Sequence, residues 1–190
     1  MFAILNNIME HLEDGILNEE TRVTELDLSN RNLKKLPDLS KYTNLKKLNI
    51  SYNQLTSIDG IPNSVEELDC SSNYIFKLPE HLPPKLRILN CFLNQLVVLP
   101  ISFPVTLNWL NCCNNSIKDI VGFLPKDLKY FNCSNNYITS FSDLPDGLVY
   151  LDYSYNCLQE PPLLPVSLET IYDKKSLHME REGYTFEFIY

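Results

Sequence analysis

The chain repeats itself, and that constrains its fold more than any other feature. Apolar unit starts recur at Val23, Leu45, Val65, Leu86, Leu107, Leu128 and Leu148, and a partial unit opens at Leu168. Full units are 20 to 22 residues long and fill residues 23–167 of a 190-residue chain. Each reads L-x-x-L-x-(C/L/I/Y)-x-x-N-x-(L/I), then returns through a segment that carries proline. The fourth begins LRILNCFLNQL at Leu86 and the sixth LKYFNCSNNYI at Leu128. A short period repeated in tandem means a stack of coils, each burying its apolar face against the next.

Within a unit, positions 4 and 6 are two apart, which is the strand period. Pairs such as Leu48/Ile50, Leu89/Cys91 and Leu110/Cys112 are therefore expected to point inward. Positions 3, 5 and 7 are expected to point to an open face. Stacking the units makes a parallel sheet with strands ~4.8 Å apart. All twelve prolines lie between Pro37 and Pro165, where the chain must return. Proline lacks the N–H that a helix needs, so the returns are expected to be extended, with at most short 3₁₀ turns. The apolar residue before many of them, Ile61, Leu82, Phe103, Leu124, Leu144 and Leu164, is expected to fill the outer core.

The motif resembles the leucine-rich repeat family. Its period and recurrent Leu-Pro are similar to the short bacterial-type repeats of bacterial effectors and some giant-virus proteins. The resemblance implies an α/β repeat solenoid, a right-handed curved superhelix with a parallel sheet on its concave face. Some effectors with similar repeats carry a ubiquitin-ligase domain after them. Nothing in the 23 residues after the last full unit corresponds to one.

Position 9 is asparagine in six units: Asn53, Asn73, Asn94, Asn115, Asn136 and Asn156. The chain must turn there, and an amide side chain can donate and accept at once. A buried asparagine ladder follows, with Arg31 in that slot of the first unit. A solenoid also needs capped ends. Residues 2–14 place Phe2, Leu5, Ile8, Met9 and Leu12 at helical spacing, which predicts a helical cap over residues 1–22. Residues 168–190 form the partial repeat and a second cap, ending in the alternating aromatics Tyr184, Phe186, Phe188 and Tyr190.

Little in the chain reads as bond-making chemistry. Cys70, Cys91, Cys112 and Cys133 follow the repeat period at position 6, where a reduced thiol packs as a small hydrophobe. They lack clustered metal-ligand spacing. Cys113, at position 7, is expected to be the accessible thiol on the sheet face. His11, His81 and His178 fall in different parts of the solenoid. Asp and Asn at position 5 are read as stacking hydrogen-bond partners. The expectation is no enzymatic activity, no cofactor and no metal.

The position-3 column is the candidate binding surface. It reads Glu25, Lys47, Glu67, Ile88, Trp109, Tyr130 and Tyr150. Large apolar groups side by side on an open face mark interaction sites, and Trp and Tyr are enriched among binding hot spots. Ile88, Phe92, Trp109, Tyr130 and Tyr150 are therefore the expected partner-binding residues. The formal charge of -8 argues against nucleic acid. No apolar run is long enough for a membrane helix, and the first residues lack the pattern of a signal peptide. The repeats carry 14 acids and 12 bases, which argues against electrostatic steering as the main device. The reading is a monomeric cytoplasmic protein that binds a protein partner, in a host's cytoplasm if the chain is an effector or viral product. The alternatives are the recognition arm of a ubiquitin ligase and, disfavoured by the cysteine column and the absent signal peptide, an extracellular sensor.

Overall fold

In the computed structural model, residues 20–120, 122, 124–141 and 143–174 are described. Positions 3 to 5 of every unit, the partial one included, form a three-residue strand. These are β1 (Glu25–Asp27), β2 (Lys47–Asn49), β3 (Glu67–Asp69) and β4 (Ile88–Asn90), followed by β5 (Trp109–Asn111), β6 (Tyr130–Asn132), β7 (Tyr150–Asp152) and β8 (Thr170–Tyr172). They make one eight-stranded parallel sheet in sequence order. The register pairs each position with its counterpart, as in Leu89↔Leu110 and Leu110↔Phe131. Identical positions therefore form columns across the sheet.

Alternation along the strand decides which column is interior. Position 4 is sealed from β2 to β7, and Leu89, Leu110, Phe131 and Leu151 have no exposed surface. Position 6 is sealed as well, by Ile50, Cys70, Cys91, Cys112, Cys133 and Tyr153. Leu26 and Leu28 of the first unit are only half-buried, because β1 is paired on one side alone.

The described returns contain turns and bends and no helix. Before most strands a proline carbonyl accepts from the N–H three residues on, as from Leu86 to Pro83 and from Leu128 to Pro125. Leu82, Leu124 and Leu144 are buried behind the sheet, with Ile61 and Phe103 half-buried against them. Leu164 is exposed instead, since only a partial unit follows it.

The structure corrects the expected fold class and the expected exposure of Cys113. The fold is a parallel β-solenoid rather than an α/β one, because a 20-residue unit with prolines in its return leaves no length for a helix. The helical cap expected over residues 1–22 lies outside the described residues up to position 19, and Glu20–Arg22 form a single 3₁₀ turn. Residues 175–190 of the second cap also lie outside them. Lastly, the small side chains at position 7 are covered rather than accessible. The hydroxyls of Ser51, Ser71, Ser134 and Ser154 donate to the position-5 side chains beside them. Backbone pairing between units continues past the strand, as from Tyr52 N–H to Ser71 C=O and from Leu93 N–H to Cys113 C=O. Position 8 then turns with positive φ, near 53° at Tyr52, Ser72 and Leu93. Ser51, Ser71, Cys113, Ser134 and Ser154 are buried, so Cys113 is not an accessible thiol. Cys157 is the exposed cysteine.

Candidate binding face

Parallel strands at ~4.8 Å spacing hold identical positions almost at ring-stacking distance. The position-3 aromatics use this. Trp109 and Tyr130 stack with centroids 4.7 Å apart and planes within 9°. Tyr130 and Tyr150 stack at 4.2 Å and 10°. Tyr172 extends the row at 5.7 Å from Tyr150, tilted by 48°. It sits at position 5 of its unit, where the column pattern gave no reason to look for it. Ile88 precedes the row on β4. All four column residues are half-buried, because each covers its neighbour and leaves its outer edge open. Burial, then the adjacent Tyr130, pushes the Tyr150 phenol well above its ordinary range.

Phe92 stands at position 7, a column otherwise of Ser and Cys. Larger than Ser or Cys, it stays half-buried where they are covered. The structure thus gathers Ile88, Trp109, Tyr130 and Tyr150 into one line, with Phe92 beside its start.

The other half of the face is charged. The Lys47 ammonium sits 3.5 Å from Glu25 and 3.6 Å from Glu67. Asp27 and Asp69 lie next to them at position 5. An open recess of about 510 Å³ covers this half, floored from β1 to β4 and ending at Trp109.

Position 5 has a structural duty along its length. Each Asp or Asn accepts from the N–H two residues on: Asp69 from Ser71 at 2.9 Å, Asn111 from Cys113 at 3.1 Å and Asn132 from Ser134 at 3.0 Å. Ser hydroxyls donate to the same oxygen, as from Ser71 to Asp69 and from Ser154 to Asp152. The bond from Ser29 holds the Asp27 carboxyl below its usual range.

The six position-9 asparagines lie behind the face. Asn115 accepts from the Leu96 N–H and donates to the Cys91, Cys112 and Cys113 carbonyls. Asn73, Asn94, Asn136 and Asn156 repeat that arrangement. Asn53 accepts from both Arg31 and Leu33. Each joins its own turn to the preceding unit. Beneath them the thiols of Cys70 and Cys91 donate to the Asn90 and Asn111 carbonyls. All six cysteines are free. Burial raises the column thiols well above ordinary cysteine. Among the described residues, no group of three or more His, Cys, Asp or Glu is placed to hold a metal ion.

Sequence reasoning missed a second set of exposed rings. Tyr52, Tyr74 and Phe76 project from the turns that follow the strands. The signal was present at positions 8, 10 and 12, but these lie beyond the part of the unit where simple alternation applies.

In-register short strands, an asparagine at the turn of six of the seven full units and a leucine-lined interior give the fold of a leucine-rich-repeat solenoid. Residues 21–63 match the family model described as leucine-rich repeats (2 copies), and the short bacterial-type units resemble those of solved bacterial proteins. YopM from Yersinia enterocolitica WA-314 is 26% identical with a TM-score of 0.61, over 90% of this chain and 44% of that one. YopM of Yersinia pestis, described as a leucine-rich effector protein, is 27% identical with a TM-score of 0.68, over 80% and 48%. The functional domain of InlJ from Listeria monocytogenes, described as including a cysteine ladder, is 30% identical with a TM-score of 0.70, over 75% and 32%. A mouse leucine-rich repeat serine/threonine-protein kinase 1 is 40% identical over 80 residues, 37% of this chain but 4% of that protein. The chain therefore spans under half of each of these proteins.

Proposed function

We propose that this chain is a non-enzymatic interaction module that binds a protein partner on its strand face. Trp109, Tyr130 and Tyr150 are the anchors, with Ile88 and Phe92 beside them. The observation that carries this reading is the stacked aromatic row, half-buried on the strand face of the described residues. Rings locked by their neighbours lose little freedom on binding, and Trp and Tyr dominate binding hot spots. Surface complementarity, not chemistry, is the mechanism. The repeats, residues 23–167, are the working unit, and the chain acts as a monomer.

The bacterial effector YopM among the similar structures favours one refinement. In it the chain works in a host's cytoplasm, alone or as the recognition arm of a larger complex such as a ubiquitin ligase.

The test compares partner capture by the wild type and by the Trp109→Ala/Tyr130→Ala variant, with circular dichroism confirming that both fold. Losing two anchors is expected to weaken capture by at least ~30-fold, which corresponds to about 2 kcal/mol. Equal capture by a folded variant removes the strand face from consideration.

A further inference from the structure

The near balance of acids and bases over the repeats hides a separation on the strand face. Its outward columns on β1 to β3 hold the carboxylates Glu25, Asp27, Glu67 and Asp69 against the single cation Lys47. Lys47 is shared between Glu25 and Glu67. Arg31 acts on Asp27 at the β1 end, and Arg87, at the strand start, is turned to Glu66. Lys47 offsets only one of Glu25 and Glu67, and Asp69 has neutral partners alone in Ser71 and Asn90, so the face carries net negative charge as far as β3.

From β5 onward the position-3 column is aromatic. Between the halves runs β4, whose outward residues Ile88 and Asn90 are uncharged. Trp109 has one ring face against Tyr130. Ile88, its register partner on β4, stands on the other side, and Trp109 closes the recess. A group seated in the recess over β4 meets the β3 carboxylates and Trp109 together, since Glu67, Asp69, Ile88, Asn90 and Trp109 all line it. A cation within ~6 Å of a ring centroid is attracted by its quadrupole, and a carboxylate binds a guanidinium through charged hydrogen bonds. Ile88 gives its methylene stem an apolar floor.

We infer that the strand face takes a protein segment bearing an arginine, seated over β4 between Glu67/Asp69 and Trp109, with its apolar residues lying on Tyr130 and Tyr150. This rests on the proposed binding role of the face and adds the chemistry of the occupant. Arginine fits better than lysine because its flat guanidinium can stack on the indole and still pair with a carboxylate.

The test pans a library of random seven-residue peptides on the intact chain, on Glu67→Gln/Asp69→Asn and on Trp109→Ala/Tyr130→Ala. Asparagine already stands at position 5 in four units, so Asp69→Asn preserves the turn. Wild-type binders are expected to show at least threefold enrichment of arginine over the input. They should also quench Trp109, the chain's one tryptophan. The carboxylate variant should select apolar and aromatic peptides without that enrichment. Binders that need Trp109 and Tyr130 but carry no excess arginine, or the same excess on both charge forms, overturn the cation claim and leave the binding face standing. Binders indifferent to Trp109 and Tyr130, or no binders at all, overturn both.

Discussion

Replacing Asn115 by alanine tests the ladder where its partners can be counted. The side chain makes four hydrogen bonds: one accepted from Leu96 N–H at 2.9 Å and three donated, to Cys91, Cys112 and Cys113 C=O at 3.0, 3.0 and 3.2 Å. They are not equally exposed to loss. Cys91 C=O still accepts from Asn94, Cys112 C=O from Asn136 and Cys113 C=O from the Leu93 N–H. The Leu96 N–H is left bare, and Leu96 has no exposed surface. One orphaned buried donor costs roughly 1–3 kcal/mol, and the lost donated bonds add about 1 kcal/mol. The expected destabilisation is therefore about 3 kcal/mol. In a chain this long that lowers Tm by roughly 6–12 °C. Urea unfolding followed by Trp109 fluorescence measures it directly. Asn94→Ala orphans the Ile75 N–H, and Ile75 is as sealed as Leu96, so a similar loss is expected there. A loss below ~1 kcal/mol for either variant would refute the argument that the orphaned donor sets the magnitude.

Other consequences follow from burial and backbone geometry. Iodoacetamide at mild alkaline pH should label one cysteine of the native chain, Cys157, while the buried column reacts only on unfolding; peptide mass spectrometry would expose native labelling of Cys91 or Cys112 as a contradiction. In a spectrophotometric titration, Tyr150 and Tyr153 should ionise above the range of free tyrosine, since burial pushes their phenols up. Because their folded pKa values exceed the unfolded one, these two groups add stability that is complete below about pH 10 and is lost as pH rises further; stability that climbs above pH 10 would contradict this. Gly122 has a φ of 101° and an added Cβ would strike the Ile101 carbonyl oxygen of the preceding coil. Gly122→Ala should destabilise by more than ~2 kcal/mol in chemical denaturation, and a neutral effect would mean that the coils can slide apart there.

The strand positions were legible because position 4 is leucine in six of the seven full units and phenylalanine in the other. A residue that must be sealed in every turn leaves a periodic trace. Asparagine at position 9 left one for the same reason, since no other side chain both donates and accepts in that shape. Cys113 was misread because the period says which column a residue joins and not how far neighbouring side chains cover a small one. Position 8 turns with positive φ at residues as different as Tyr52, Ser72, Leu93 and Asn114, so the turn leaves little compositional mark. Tyr172 joins the aromatic row from position 5, which no column count reveals. The separation of charge on the strand face was written in Glu25, Lys47 and Glu67, but a net sum over 145 residues averages it away.

Each strand is three residues long, and from β2 to β7 its middle side chain is sealed while its two flanking ones face out. Instructions for holding the chain together and instructions for recognising something else thus occupy alternate letters of the same word. One set can be rewritten coil by coil while the other is left untouched, so a lineage or an engineer can edit specificity here like beads exchanged on an unbroken string.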